Sequence, residues 1–187
     1  MTGQAALLLR HGYSVVMMDA RAHGESGGSM ATYGWLERRD AHAIVDALYA
    51  KEMPCNLFAL GSSMGAAIAL QSAAVEPRIA GVVAESSFSN LREVTYDYAG
   101  LHWSPWLGKT LFRPGTWTLI STAREEGGFS VDDVSPEKSV AARPFPLLLI
   151  CDGSDHITAY SKHLQRRDRA ERIVGSSGCR PCLFGRS

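Results

Sequence analysis

A short glycine- and serine-rich motif carries the clearest chemical signal in this sequence. Residues 61–65 read Gly-Ser-Ser-Met-Gly, a G-x-S-x-G pattern between an apolar run at 55–60 and a small-residue run at 66–74. A strand that turns sharply into a helix crowds its own backbone, so the residues flanking the central serine must be small. We therefore predict Ser63 as a nucleophile on a strained turn, with its hydroxyl at a concave surface. An ordinary strand-to-helix connection is the alternative.

A second motif follows another apolar run, at residues 13–18. It reads Asp-Ala-Arg-Ala-His-Gly-Glu-Ser-Gly over residues 19–27. Together the two motifs resemble the α/β-hydrolase superfamily, which often carries a D-x-R-G-x-G-x-S loop, and Ala22 stands where that pattern usually has glycine. The likeness is closest to the branch of small esterases, lipase-like enzymes and serine aminopeptidase-like proteins. It implies that Asp19 and Arg21 anchor the loop, and that His23 lies near the site without being the base.

Composition and charge restrict the classes of function. The 187 residues are 45% hydrophobic and 20% charged, which is typical of one soluble globular domain. Nineteen basic residues balance nineteen acidic ones, so no net charge favours nucleic acid or a membrane surface. We find no apolar run long enough for a membrane span and no signal peptide. We therefore expect a cytoplasmic protein.

The four cysteines fit that compartment. Cys55 and Cys151 lie in apolar runs, so we expect buried free thiols under reducing conditions. Cys179 and Cys182 form a C-x-x-C pair without a second pair or a histidine nearby, so we predict no metal site. No cofactor is implied either.

Apolar runs alternate with amphipathic stretches along much of the chain. We predict helices up to Arg10, from Thr32 as the cap to about Tyr49, and at 66–74, and strands at 13–18, 55–60, 79–84 and 146–151. Near-continuous apolar strands that alternate with helices indicate a mostly parallel sheet with helices on both faces. The sequence therefore predicts one α/β domain over residues 1–187, and the resemblance implies a partial α/β-hydrolase fold.

The alternation is lost between residues 91 and 142. This stretch holds Trp103, Trp106 and Trp117, and it lies between two predicted strands. Hydrolases of the family often insert a helical cap here, so we expect a cap-like insertion at 91–142. Its aromatic side chains could line a substrate pocket, or they could pack the cap against the sheet.

The resemblance implies two further site residues. Asp155 falls on the position of the catalytic acid, although Cys151 and Asp152 replace the usual His-Gly before it, and Asp152 is a less suitable substitute for the acid. Alternatively, Asp155 caps a following helix. The backbone N–H of Met64 corresponds to a donor of the oxyanion hole. Because parallel strands end at one edge of a sheet, we expect Asp155 on the same edge as Ser63.

A suitable general base is missing from this pattern. Residues 171–174 are predicted as the last strand. Residues 175–187 contain no histidine, and they form an atypical tail of the kind that a truncated or frame-shifted reading frame would give. His156 would diverge from Asp155, and His163 is expected on a helix. In the family, the loop with the second oxyanion donor comes just before the helix that is predicted at the start of this sequence. We therefore expect poor ester hydrolysis and, through exposed sheet edges, self-association.

Three functional hypotheses follow from these residues. In the first, Ser63 attacks the ester, thioester or amide carbonyl of a small-molecule acyl substrate. In the second, the chain is a non-catalytic binding or scaffold protein that keeps the fold without a complete triad. The third hypothesis is a peptidase-like activity on short peptides, which changes the substrate class but not the residues.

Overall fold

Strands and helices alternate along most of the described chain. The computed structural model describes residues 2–52, 54, 56–99, 121, 125, 128–150 and 182–186, with the backbone alone at 96–99 and 182–186. The helices are α1 (Thr2–Arg10), α2 (Glu37–Lys51), α3 (Met64–Val75), α4 (Leu91–Ala99) and α5 (Pro136–Ala142). The strands are β1 (Ser14–Met18), β2 (Leu57–Ser62), β3 (Ile79–Glu85), β4 (Leu147–Ile150) and β5 (Cys182–Arg186).

The five strands form one parallel sheet in the order β1-β5-β2-β3-β4. The predicted α/β fold with a parallel sheet is therefore confirmed. β5 comes from the segment that we expected to be an atypical tail, and its backbone pairs with β1 on one side and β2 on the other. The sheet thus joins β1 to β2 through this five-residue strand.

The main apolar core lies between three helices and three strands. Leu57 and Ala59 of β2 alternate with less buried neighbours, as expected for a strand with one face on the core. α3 is buried at every position from Gly65 to Ala73, because its small side chains allow α2, α5 and the sheet to pack closely around it. Burial of a leucine such as Leu70 contributes roughly 1.5–3 kcal/mol.

A second apolar cluster lies beside the first turns of α3. Its buried members are Ala67, Phe88, Leu91, Val94, Phe129, Val131 and Val134, and Met30 and Trp35 pack against it. The segment that follows β3 therefore packs against the N-terminal half of α3.

The ends of the first two helices show how local chemistry sets the chain path. α1 ends as predicted, since Gly12 at φ +83° allows its own N–H and that of Tyr13 to reach the carbonyls of Leu9 and Leu8. The prediction that Thr32 caps α2 is wrong. α2 begins at Glu37, and the Thr32 hydroxyl instead accepts the N–H of Leu36 in the turn that precedes the helix.

Several sequence-based expectations fall outside the described residues. They are the tryptophans of the 91–142 insertion, the strand predicted at 171–174, and the thiols of Cys55 and Cys151. In the described part, the edge strands β1 and β4 expose the side chains of Met17, Leu148 and Ile150. Self-association through a sheet edge stays a prediction. None of the described helices has the length and apolar character required to cross a lipid bilayer.

A buried carboxylate fixes the turn between α3 and β3. Glu76 follows α3, its side chain is only 1% exposed, and it accepts hydrogen bonds from the guanidinium of Arg78 at 2.6 and 2.7 Å. The Nδ1 atom of His42 on α2 lies 2.6 Å from the same carboxylate. The hydrogen bonds from Arg78, with smaller help from His42, lower the pKa of Glu76 to about 2. This ionised group therefore links α2, α3 and β3.

We expect Glu76→Gln to lower the free energy of unfolding at pH 7 by about 2 kcal/mol, because the charged hydrogen bonds are lost. The folded-state pKa lies below the unfolded value near 4.5, so this stabilisation is complete above that pH and declines as pH falls towards 2. Urea unfolding of both proteins between pH 7 and pH 3.5 should show a difference in the free energy of unfolding that becomes smaller as the pH falls. Glu52→Gln, at an exposed position, is the control. If the difference in the free energy of unfolding were the same at every pH, the lowered pKa of Glu76 in the folded protein would be contradicted.

Candidate active site

Ser63 lies on a sharp turn between β2 and α3. Its φ of 52° and ψ of −119° lie outside the regions that L-residues favour. Its N–H donates to the carbonyl of Glu85 at 2.8 Å, and its own carbonyl accepts from Ala66 and Ala67 at 3.1 and 3.2 Å. These hydrogen bonds hold the backbone in a strained conformation while the residue stays exposed to solvent. The strained turn expected from the G-x-S-x-G pattern is present.

Gly61 shows why this turn requires small residues. A Cβ atom at Gly61 would collide with the carbonyl oxygen of Gly65, because the end of β2 and the first turn of α3 pass directly against each other. The crossing leads the chain from the sheet into the helix within two residues. Any side chain at position 61 would therefore force the turn at Ser63 to open.

The first turn of α3 supplies the electrostatic environment of Ser63. The N–H of Met64 belongs to the first residue of the helix, where N–H groups have no intrahelical acceptor. The positive end of the helix dipole favours negative charge at this point. Both features favour negative charge near Ser63, and the role of Met64 as oxyanion donor stays a prediction.

The neighbouring strand ends in a similar way. Ser86 follows β3 with φ 50°, and its N–H donates to the carbonyl of Ile150 at 2.8 Å. The carboxylate of Glu85, just before it, accepts a 3.3 Å hydrogen bond from the Gln4 amide of α1. α1 thus reaches the edge of the sheet where β2 and β3 end.

The loop after β1 is held by the two residues expected to anchor it. The Asp19 carboxylate accepts the N–H of Glu25 at 3.2 Å, and Gly24 approaches it so closely that a Cβ would collide with it. Arg21 forms two hydrogen bonds with Asp40 of α2, at 2.7 and 2.8 Å, which raise the pKa of the guanidinium above its usual value.

The imidazole of His23 also lies on this loop. Its Nδ1 atom is 3.0 Å from the carbonyl oxygen of Arg21, and the side chain is exposed. His23 is therefore a loop histidine bonded to backbone, as the resemblance implied.

A buried polar clamp before α2 is the feature that sequence reasoning missed. The Glu37 carboxylate is completely buried and accepts the N–H and hydroxyl of Thr32 and the N–H of Gly34, at 2.6–2.8 Å. Gln71 of α3 donates to the carbonyl of Tyr33 at 2.8 Å. Thr32 and Glu37, five residues apart, do not match a known cap spacing, so only burial in the folded chain identifies the clamp.

Only part of the predicted site lies within the described residues. Asp155 and its substitute Asp152 lie outside the described residues, as do His156 and His163. Ser63 and Met64 are described and adjacent. Among the described residues, no group of three or more histidine, cysteine, aspartate or glutamate side chains is arranged to hold a metal ion.

Comparison with known proteins agrees with this geometry. Residues 2–125 match the family described as serine aminopeptidase, S33. The chain is similar to YqkD, an uncharacterized protein of Bacillus subtilis, with 28% identity over 157 residues that cover 80% of this chain and 48% of YqkD.

Solved structures give the same fold. The chain superposes on the esterase Pf2001 of Pyrococcus furiosus in two crystal forms, with TM-scores of 0.66 and 0.63 and identities of 22% and 23%. The match covers 100% of this chain and 66% or 65% of the esterase. The chain therefore spans about half the length of YqkD and about two thirds of the esterase.

We expect Ala22→Gly to stabilise the protein by about 0.5–1 kcal/mol. Ala22 has φ 57°, which costs an L-residue roughly 1–2 kcal/mol, whereas the greater freedom of glycine in the unfolded chain offsets only part of that gain. Thermal and urea unfolding measure the change. Ala20→Gly, at a buried position of the same loop without a positive φ, should destabilise instead. Equal effects of the two substitutions would show that the backbone at Ala22 is not strained.

Proposed function

Because the chain belongs to the serine aminopeptidase (S33) family of α/β-hydrolases, we propose that its chemistry is acyl transfer to water with Ser63 as the nucleophile. Ser63 Oγ forms a bond to the carbonyl carbon of a small-molecule ester, thioester or amide, and its proton passes to a general base. The tetrahedral oxyanion accepts the Met64 N–H. Collapse of this tetrahedral intermediate expels the leaving group, which takes the proton from the general base. Water then hydrolyses the acyl-enzyme.

One observation carries this proposal. Ser63 is an exposed serine held at φ 52° between a parallel strand and the N-terminus of a buried helix. Such strain costs about 1–3 kcal/mol and persists where the surrounding structure over-determines it, which is common at active sites. The structural likeness to Pf2001, which is an esterase, supports an ester as the substrate over a peptide.

The general base determines how fast this reaction runs. Asp155 is the proposed acid, and its role is to orient an imidazole towards Ser63. Residues 164–187 contain no histidine, so the sequence offers only His156 and His163 after the acid. His156 adjoins Asp155 in sequence, which disfavours a bridging position. We therefore propose that this chain by itself hydrolyses esters slowly, because loss of the base can cost several powers of ten in turnover.

The same missing histidine favours a second candidate function. A chain that keeps the strained turn and the polar clamp but lacks a base could bind acyl compounds without turning them over. This alternative predicts ligand binding that does not depend on the hydroxyl of Ser63.

Turnover of p-nitrophenyl butyrate tests the two functions. For the hydrolase we expect a low rate that falls to background in Ser63→Ala, together with fluorophosphonate labelling that disappears in the same variant. Ser62→Ala removes the neighbouring hydroxyl at the end of β2 and should keep both signals. A rate equal to that of Ser63→Ala, without labelling, would favour the binding protein. Fast Ser63-dependent turnover would instead identify His156, His163 or a partner chain as the base.

A further inference from the structure

Ser86 has a strained backbone that the G-x-S-x-G motif does not explain. It follows the last residue of β3 with φ 50°, close to the φ of 52° at Ser63 after β2. Both residues carry a side chain, so both conformations are unfavourable. The turn into α3 accounts for the strain at Ser63, whereas the chain after Ser86 begins its next helix only at Leu91. The strain at Ser86 therefore requires another explanation.

The peptide unit between Glu85 and Ser86 connects the nucleophile to the next strand. Its carbonyl, on Glu85, accepts the N–H of Ser63 at 2.8 Å. Its N–H, on Ser86, donates to the carbonyl of Ile150 at 2.8 Å. A peptide unit is planar and rigid, so its carbonyl and its N–H move together. A rotation that breaks one of these hydrogen bonds therefore disturbs the other.

This peptide unit lies just beyond the paired part of the sheet. Ser62 and Ile150 are both register partners of Glu85, and each of the three is the last residue of its strand. The hydrogen bond of Ser63 is thus made one position beyond the register pairs of β2 and β3. At that point the orientation of the peptide unit depends on the torsion angles on either side of it, and one of these is the φ of Ser86.

The Glu85 side of the peptide unit has a further attachment. The amide of Gln4 on α1 donates to the Glu85 carboxylate at 3.3 Å. The Ser86 side depends instead on its own φ and on the hydrogen bond to Ile150. A change of φ at Ser86 would therefore turn the peptide unit while Glu85 itself stays attached to α1.

From these contacts we propose that Ser86 is a positioning residue for the reaction at Ser63. Its positive φ directs the Glu85 carbonyl at the N–H of Ser63, and this hydrogen bond fixes the place from which the Ser63 side chain acts. The proposal rests on the role of Ser63 as nucleophile that is proposed above. The same peptide unit fixes Ser63 relative to Ile150, five residues before the proposed acid Asp155.

Three substitutions separate this role from general stability. Ser86→Val introduces a β-branched side chain that does not tolerate positive φ, so we expect the backbone to leave its conformation. Ser86→Gly permits that conformation and should behave like the unsubstituted protein. Ala22→Val is the matched control, because Ala22 has φ 57° and its N–H is bonded within its own loop, to Gly27.

The rate constant for fluorophosphonate labelling measures the effect on chemistry, since Ser63 Oγ displaces fluoride from phosphorus. We expect Ser86→Val to lower this rate constant about 10–100-fold, the loss that a small misplacement of a reacting group produces. Ser86→Gly and Ala22→Val should keep it. Urea unfolding checks that each protein is folded during labelling. If Ser86→Val does not fold, Ser86→Thr and Ala22→Thr form the equivalent pair, with a β-branched side chain closer in size to serine.

Hydrogen exchange of the Ser63 amide, followed by NMR, tests the positioning without any turnover. The hydrogen bond to Glu85 protects this amide, so Ser86→Val should accelerate its exchange about tenfold or more through local opening. Ala22→Val should change it only as far as it changes the exchange of amides in the core. Ser86→Gly should leave it slow.

The outcomes distinguish failure of this proposal from failure of the proposed catalysis. Equal effects of Ser86→Val and Ala22→Val on exchange at Ser63, or no effect of either, would overturn the role of Ser86. So would faster exchange in Ser86→Val with an unchanged rate of Ser63 labelling. Faster exchange in Ser86→Val alone, in a protein whose Ser63 is never labelled, supports the positioning role and shows that the proposed acyl transfer fails independently.

Discussion

The close crossing of β2 and α3 at Gly61 is the constraint on which the rest of the site depends. The backbones approach so closely that only glycine fits at position 61, and Ser63 must then turn through a positive φ to enter the helix. The small residues Gly65 and Ala66 stand where the first turn of α3 passes directly against Gly61. One steric requirement therefore sets the strand end, the serine and the first turn of the helix.

Buried polar groups stabilise the segments around that crossing. Glu37 and Gln71 fix the turn before α2 against α3, and Glu76 fixes the turn after α3. Each buried carboxylate is surrounded by several donors, and the loss of one donor would leave a buried polar group without a partner, which is costly. The C-terminal half of α3 is thus held by side chains that are not themselves candidates for catalysis.

Sequence patterns predicted the parts of this structure that local chemistry controls. The strand-to-helix turn at Ser63, the glycine end of α1 and the apolar strands all follow from short-range sterics and periodicity. β5 could not be predicted, because its place between β1 and β2 depends on pairing with strands more than 100 residues earlier in the chain. The clamp around Tyr33 was missed for a similar reason. Thr32 has the residue type of a helix cap, and only the buried side chains of Glu37 and Gln71 show that it belongs to the turn before α2.

Backbone strain is distributed unevenly in the described chain, and its distribution supports one functional edge. The non-glycine residues at positive φ are Ala22, Tyr33, Ser63 and Ser86. Three of them follow the carboxyl ends of β1, β2 and β3, which lie on one edge of a parallel sheet, and the fourth, Tyr33, accepts a hydrogen bond from Gln71 of α3. At roughly 1–2 kcal/mol each, they offset a sizeable part of the roughly 5–15 kcal/mol that stabilises a typical domain. Strain at the carboxyl ends of three strands of one sheet is more consistent with a binding or catalytic surface there than with irregular loops in general.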